Sequence, residues 1–200
     1  MQVKKIGTLE KYYGRLNVFK QHGLDLVKTR CFVLKKSDIG KSDSVLEVGT
    51  GKGHAAITMA RKKINFTTID IDRESLHIAR NNLKAFGLLR YATIKRMNAE
   101  HLSYANRRFN YVISVNFIHH AKRPSLCIKE MLRVAKKGVV IADFNKQGER
   151  LMDRIHKEEG RMHERSVIAL AKIKTILQKN GMKVKTYRDK YMIVFVAKKG

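Results

Sequence analysis

The chain has 200 residues, 44% of them hydrophobic and 30% charged, a balance that fits one globular domain with a buried core. Its 43 Lys and Arg residues against 17 Asp and Glu residues give a formal net charge of +26. This excess argues against an acidic binding surface and favours RNA or another polyanion as a partner.

Uninterrupted apolar runs in the sequence are far shorter than the roughly 18 residues that a membrane span requires. The first residues are not followed by the apolar block of a secretory signal. The two cysteines, Cys31 and Cys127, are too few and too far apart for a disulfide framework or a CxxC metal site. We therefore predict a cytoplasmic protein without a membrane segment.

Short apolar runs alternate with helical patterns along the chain. A mostly helical stretch at 8–36 comes first, and further helices are predicted near 53–63, 74–87, 124–135 and 166–179. The predicted strands are 44–48, 66–70, 92–96, 111–115, 138–143, 182–187 and 192–197. This alternation is typical of βαβ units in a parallel sheet. Because residues 188–191 are too few for a crossover, the last strand should run antiparallel to its neighbour.

The predicted fold class is therefore α/β, with a seven-stranded, mostly parallel sheet, an antiparallel last strand and helices on both faces. Proline occurs once, and no stretch has the composition of a linker. We predict a single domain over 1–200, in which residues 1–43 form an N-terminal helical cap and residues 44–200 form the core.

A glycine-rich turn, EVGTGKGH at 47–54, joins the first strand of the core to a helix. Glycines allow positive φ and the close approach of a ligand, and the helix N-terminus offers free N–H groups. The third glycine of a dinucleotide fingerprint would fall at His54, which argues against NAD, and the turn lacks the GKS or GKT of a P-loop. Glu47 at the strand end suits a ligand that carries positive charge.

Polar residues also follow the second and third core strands. Asp70 ends the second strand, where an acid can hydrogen-bond both hydroxyls of a ribose. Asp72, two residues later, is better interpreted as the N-cap of the helix at 74–87. Asn98 follows the third strand. The sequence thus places polar side chains at one edge of the predicted sheet.

Four segments taken in order, EVGTGKG, IDID, NAEHL and FNYVISVNFIHH, resemble class I S-adenosylmethionine (SAM)-dependent methyltransferases, in particular the small methyltransferases of quinone biosynthesis. The resemblance covers about residues 44–143. It implies a Rossmann-like form of the predicted fold, SAM as cofactor and methyl transfer by in-line displacement. One departure is AKKG at 135–138, where the family usually has Pro-Gly-Gly in a structural turn.

The resemblance also implies a cofactor site. Glu47 and the glycine turn would line the methionine part of SAM, Asp70 would hold the ribose, and Ile71 would pack on the adenine. Asn98 stands where the family often has an Asp that binds the adenine amino group, although a polar loop residue is the alternative. The implied cofactor-binding residues are Glu47, Gly49, Thr50, Gly51, Gly53, Asp70, Ile71, Asn98, Ala99 and Asn116.

Candidate catalytic residues are Asn116, His119 and His120, which follow the fourth core strand, close to where the methyl group should emerge. Either histidine can take a proton from an acceptor, and simple ring packing is the alternative interpretation. Farther along, His156, Glu159 and His163 share one helical face and suit substrate binding. A metal site is disfavoured there, because Gly160 weakens the helix and methyl transfer needs no metal.

The methyl acceptor stays open. The net charge favours RNA or another polyanion, whereas the sequence around 116–119 favours a small metabolite. The chain lacks the Pro-Cys dipeptide of RNA cytosine-C5 methyltransferases and the Asn-Pro-Pro-Tyr or Asp-Pro-Pro-Tyr segment of adenine amino-group methyltransferases. The alternative function is a non-catalytic, basic RNA-binding module on the same fold.

Overall fold

The computed structural model describes residues 2–160 and 170–199. Seven α-helices lie within this part of the chain, together with two short 3₁₀ turns, Leu89–Tyr91 and Ile118–His120. The helices are α1 Gln2–Gln21, α2 Leu26–Ser37, α3 His54–Arg61, α4 Arg73–Ala85, α5 Pro124–Val134, α6 Lys146–Glu158 and α7 Leu170–Lys179. None of them is both long and apolar enough to cross a membrane.

Seven strands in the described residues form one sheet in the order β3-β2-β1-β4-β5-β7-β6. The first five run parallel to their neighbours, and β7 runs antiparallel to both β5 and β6. The strands are β1 Val45–Val48, β2 Phe66–Asp70, β3 Ala92–Arg96, β4 Phe109–Val115, β5 Ala135–Phe144, β6 Met182–Arg188 and β7 Met192–Lys199. The chain order reverses between β1 and β4, which is where open sheets of this kind bind ligands.

Apolar side chains cover both faces of the sheet. Along β5, Val140 and Ala142 point to one cluster, and Val139 and Ile141 point to the other. The first cluster is closed by α1–α4 and α6, and the second by α5 and α7. This burial on two faces explains why the central strands are nearly continuous apolar runs.

The N-terminal helical stretch is two helices, because the chain turns at 22–25. Gly23 has φ +85°, a conformation that favours glycine. Asp25 then caps α2, with its side chain accepting a hydrogen bond of 2.9 Å from the backbone N of Lys28. The turn lays α1 and α2 side by side on the first apolar cluster.

The predicted fold class is confirmed, including the antiparallel last strand. Two details differ. Strand β7 inserts between β5 and β6, and β5 begins at Ala135, so the helix before it ends sooner than predicted. The start of the helix predicted at 166–179 lies outside the described residues. The division into a cap at 1–43 and a core at 44–200 stays a prediction.

Candidate active site

The three glycines of the turn have different surroundings. All three have positive φ: +87° at Gly49, +48° at Gly51 and +83° at Gly53. A Cβ on Gly49 would overlap the side chain of Phe117, and one on Gly53 would lie 3.0 Å from the Cβ of Ala79. Only Gly51 faces open space. Close packing thus requires glycine at positions 49 and 53, whereas position 51 has free space beside its backbone.

A buried polar network lies beneath the turn. Glu47 is 1% exposed, and its Oε2 accepts a hydrogen bond of 2.6 Å from the Oγ1 of Thr68. The hydroxyl of Thr50 lies 2.6 Å from the same Oγ1, so Thr50 belongs to this network. Burial raises the pKa of Glu47 to about 8, against the opposing effect of the Thr68 hydrogen bond. The carboxyl group is therefore mostly protonated at neutral pH.

Asp70 ends β2 beside the turn. Its Oδ2 accepts a hydrogen bond of 2.9 Å from the backbone N of Gly51, and its Oδ1 accepts one of 3.0 Å from the backbone N of Asp72. Asp72 caps α4 by accepting hydrogen bonds from the backbone N of Glu74 and Ser75, as the sequence predicts. The carboxylate of Asp70 is thus fixed at the rim of the turn.

A first cavity of about 400 Å³ opens at this edge of the sheet. Five of the predicted cofactor residues line it: Gly49, Asp70, Ile71, Asn98 and Ala99. Its wall also contains residues that the sequence did not assign to it, namely Met97, Glu100, Phe117, His120, Lys122 and Cys127.

Two residues of the first cavity have defined local roles. The Oδ1 of Asn98 accepts a hydrogen bond of 2.9 Å from the backbone N of Glu100, which orients the amide at the rim. Cys127 is buried, and burial raises the pKa of its thiol to about 11. Because the thiol stays protonated, Cys127 serves as an apolar wall residue and not as a nucleophile.

A second cavity, of about 200 Å³, lies next to the first. The candidate residues Asn116, His119, His120 and His156 line it, and His120 lines both cavities. The remaining residues of the second cavity are Arg15, Phe19, Leu26, Arg30, Lys52, His54, Phe144 and Met152.

The predicted substrate trio is only partly brought together. His156 on α6 lines the second cavity, whereas Glu159 forms an ion pair with Arg15 of α1 at its edge. His163 lies outside the described residues. Within residues 2–160 and 170–199, no three metal-ligating side chains come together. The ion pair thus links the end of α6 to Arg15, which lines the second cavity.

His119 is held by the carboxylate of Asp143. Its Nδ1 lies 2.5 Å from the Oδ1 of Asp143, and its backbone N donates to the Oδ2 at 3.2 Å. Asp143 ends the apolar part of β5 and is 3% exposed. A carboxylate in this place fixes the tautomer with the proton on Nδ1, so that Nε2 carries the lone pair that a general base needs.

Asn116 follows β4 in the left-handed conformation, with φ +54°. Its backbone N donates a hydrogen bond of 2.8 Å to the carbonyl oxygen of Ala142. Its Oδ1 is buried and has no hydrogen-bond partner among the described residues. A buried acceptor without a partner is unfavourable, so the Oδ1 of Asn116 is a candidate to accept a hydrogen bond from a ligand.

Sequence reasoning missed Asp143, Arg30, Arg15 and Lys52. The sequence does contain a pattern that singles out Arg30. One helical face, which should be apolar, consists of Leu26, Arg30, Val33 and Leu34. All four are buried. A charged residue on the predicted buried face of an amphipathic helix can therefore be identified as a functional candidate from the sequence alone.

The comparisons with known proteins agree with this geometry. The model of a family described as a methyltransferase domain matches residues 39–189. The chain is 30% identical over 101 residues to a phosphatidylethanolamine N-methyltransferase from Cereibacter sphaeroides, covering 50% of this chain and 49% of that protein. It is 27% identical over 143 residues to the ubiquinone/menaquinone biosynthesis C-methyltransferase UbiE from Geotalea daltonii, covering 69% and 60%. The chain spans about half the length of the curated relatives it matches.

Among solved structures, a SAM-dependent methyltransferase from Aquifex aeolicus shares the fold, with a TM-score of 0.67 and 19% identity over 84% of this chain and 88% of that one. These comparisons do not support the alternative of a non-catalytic RNA-binding module. The four motifs, the sheet order and the matched family lead to one conclusion: the chain belongs to the methyltransferase domain family, as a class I SAM-dependent member that resembles the quinone-biosynthesis methyltransferases.

Proposed function

We propose that this chain binds SAM in the first cavity and transfers its methyl group to an acceptor in the second cavity. One observation carries the proposal: His120 lines both cavities, so that the two sites share a boundary. Methyl transfer needs this arrangement, because donor and acceptor must meet in line and away from water.

The residues in and around the first cavity fit SAM. Gly49 and Asp70 line the cavity, and the Asp70 carboxylate suits the two ribose hydroxyls. Gly51, whose backbone N is hydrogen-bonded to Asp70, has free space beside its backbone. Ile71 and Ala99 offer apolar surface to an adenine ring. Glu47 under the turn can meet the positive charge of the methionine part once it is ionised. These assignments follow the family motifs residue by residue.

When bound, SAM supplies a methyl group on a positively charged sulfur, which is already a good leaving group. The chain must therefore align the acceptor and remove its proton where the acceptor is an O–H or N–H group. His119, oriented by Asp143, is suited to take that proton at Nε2. The free Oδ1 of Asn116 is suited to accept a hydrogen bond from the same acceptor group.

A small molecule is the acceptor that we favour, because the second cavity is small and lined on several sides. The named relatives include an N-methyltransferase and a C-methyltransferase, so their names leave the methylated atom open. RNA, which the net charge favours, is the competing acceptor, and the methyl-transfer experiment below distinguishes the two. A cytoplasmic site of action fits the two free thiols, Cys31 and Cys127.

Calorimetry with S-adenosylhomocysteine (SAH), the product of the reaction, tests the cofactor site. We expect Asp70→Asn to weaken binding about tenfold or more, since it removes a charged acceptor from two hydrogen bonds. The matched control is Asp38→Asn, because Asp38 is exposed and pairs with Lys198. Absence of SAM and SAH binding by the unchanged protein would overturn the proposal.

Transfer of a radiolabelled methyl group into fractionated cell extract tests the acceptor. Label in the small-molecule fraction is the expected result. Label in the RNA fraction, with none in small molecules, would contradict the small-molecule assignment and leave the methyltransferase assignment intact.

A further inference from the structure

We propose that the second cavity takes a small anionic acceptor, one that carries a carboxylate or phosphate group, and that Arg30 binds this group. The inference rests on the proposed function and specifies its substrate class. It is carried by the guanidinium of Arg30, which lies in the wall of the second cavity.

Arg30 is buried, and two of its guanidinium nitrogens lack a hydrogen-bond partner in the described part of the chain. The residue is 7% exposed, and its Nε and one terminal nitrogen, Nη1, are shielded from solvent with no hydrogen-bond partner among the described residues. Buried arginines are normally paired, because an unpaired buried charge is strongly unfavourable. Burial lowers the pKa of Arg30 only to about 10, so the side chain keeps its charge at neutral pH.

The carboxyl groups that influence Arg30 are engaged elsewhere. Asp143 holds His119 and accepts a hydrogen bond from the backbone N of Phe144. Asp189 accepts hydrogen bonds from backbone N–H groups in the turn before β7. Glu47 bonds to Thr68, and its raised pKa leaves it mostly uncharged. Among the described residues no carboxylate is left to neutralise Arg30, so the guanidinium can take up an anion from outside the chain.

Further positive charge faces the same space. Arg15 and Lys52 also line the second cavity, and Arg15 is already paired with Glu159. Burial, together with the charges of Arg30 and Lys52, lowers the pKa of His54 to about 3, so His54 stays neutral. Lys52 is exposed, which places it at the entrance. Lys52 near solvent can therefore attract an anion to the cavity, and the buried Arg30 can then bind it.

The size and walls of the cavity limit the acceptor. Its volume of about 200 Å³ is below the range of about 300–1,000 Å³ for drug-sized ligands. Leu26, Phe144 and Met152 supply apolar wall. At the catalytic side, Asn116 Oδ1 has no donor in the described part of the chain, and His119 is oriented as a base. The acceptor that fits is a small molecule with an anionic group at one end and an O–H or N–H nucleophile at the other.

The test measures binding of three probes to the SAH-saturated protein, by calorimetry and by the shifts of the histidine ring protons in NMR spectra. Glycolate represents a carboxylate with a hydroxyl group, glycerol 3-phosphate represents a phosphate, and glycolamide is the neutral analogue of glycolate. We expect at least one anion to bind about tenfold more tightly than glycolamide. Which anion binds decides between the carboxylate and phosphate classes.

Arg30→Met should remove this preference for anions and leave the affinity for SAH within about twofold. Arg30→Lys should keep part of it, because the charge remains but the planar fork is lost. The control Arg80→Met removes an exposed arginine of α4 and should change neither affinity. The urea midpoint of Arg30→Met should equal or exceed that of the unchanged protein, whereas loss of a structural ion pair would lower it.

Three results would overturn the inference: equal binding of glycolate and glycolamide, undiminished anion binding by Arg30→Met, or no binding of either anion. The first and third use the unchanged protein, so they hold even where Arg30→Met fails to fold. Failure of SAH to bind would overturn the proposed function instead. In that case the same probes on the cofactor-free protein still decide whether Arg30 forms an anion site.

Discussion

The buried carboxyl group of Glu47 should make cofactor binding depend on pH. Its pKa is raised to about 8, because burial disfavours the charged form. A positively charged ligand placed beside it favours the carboxylate, so binding releases a proton from Glu47. The affinity for SAM should therefore rise with pH through neutrality and level off above about pH 8.

Calorimetry in buffers of different ionisation enthalpy counts the protons released on binding. Glu47→Gln is the matched control, since the difference between the two proteins removes any proton exchange by the ligand itself. We expect the unchanged protein to release more protons than the variant between about pH 6 and pH 8. Equal proton release by the two proteins would show that Glu47 does not ionise on binding.

The same carboxyl group affects folding stability in the opposite direction. The pKa of Glu47 is raised from 4.5 to about 8, so between these values the folded chain binds more protons than the unfolded chain. The contribution of Glu47 to the free energy of unfolding is therefore fully present below pH 4.5 and is lost as pH rises towards 8. High pH thus favours cofactor binding and weakens the free protein.

Asp143 should act as a positioning residue for His119. Asp143→Asn keeps the shape of the side chain but removes the charge that holds the proton on Nδ1 of His119. We expect kcat to fall by about 10²–10⁴-fold, the usual contribution of a general base, with little change in KM. A change in KM alone, with kcat intact, would assign Asp143 a purely structural role.

At the scale of secondary-structure elements, α6 packs closely against β5 and the turn before β7 because residue 148 is a glycine. A Cβ on Gly148 would overlap the carbonyl oxygen of Tyr191 and come 2.7 Å from the Cδ1 of Phe144. Because a helix cannot bend away locally without losing its hydrogen bonds, the whole helix must shift. α6 carries Met152 and His156, which line the second cavity, so the shift also reaches that site.

Gly148→Ala should therefore destabilise the protein by about 1–3 kcal/mol, as overpacked cores do. Gly14→Ala is the matched control, since a Cβ there meets nothing within 4 Å and alanine favours the helix by about 1 kcal/mol. Urea unfolding should thus move the two midpoints in opposite directions. If both urea midpoints moved in the same direction, the close packing described for α6 would be wrong.

The same scale shows what the sequence could reveal. The strands at 66–70 and 92–96 were predicted with their observed bounds, because apolar, β-branched runs end there at polar or turn residues. The position of β7 between β5 and β6 was not predictable, because a short connection specifies only that two strands pair. Pairing with β5 depends on contacts far apart in sequence, such as Val140 with Val196.

The site was predictable to a similar degree. Asp70 and Gly51 lie where local motifs place them, at a strand end and in a turn. Arg30 and Asp143 become interpretable only when α2 and β5 meet at one edge of the sheet. A motif reports neighbours along the chain, whereas the second cavity is assembled from α1, α2, the glycine turn with α3, the segment after β4, β5 and α6.

For the whole molecule, the net charge of +26 should make stability depend on salt. Like charges on a compact surface repel one another, and unfolding relieves this repulsion. The exposed ion pairs of the described residues, such as Lys198 with Asp38, oppose the effect weakly, at about 0–1 kcal/mol each. Because cations exceed anions by so many, screening should remove more repulsion than attraction.

We therefore expect the free energy of unfolding to increase, on the order of 1 kcal/mol, between about 0.02 M and about 0.5 M sodium chloride. Urea titrations at the two salt concentrations measure it. Arg30→Met should show the same increase, since one buried charge contributes little to a repulsion spread over the surface. A decrease with salt would mean that ion pairs outweigh repulsion. An increase confined to the unchanged protein would instead indicate anion binding in the second cavity, because screening of the surface acts on both proteins alike.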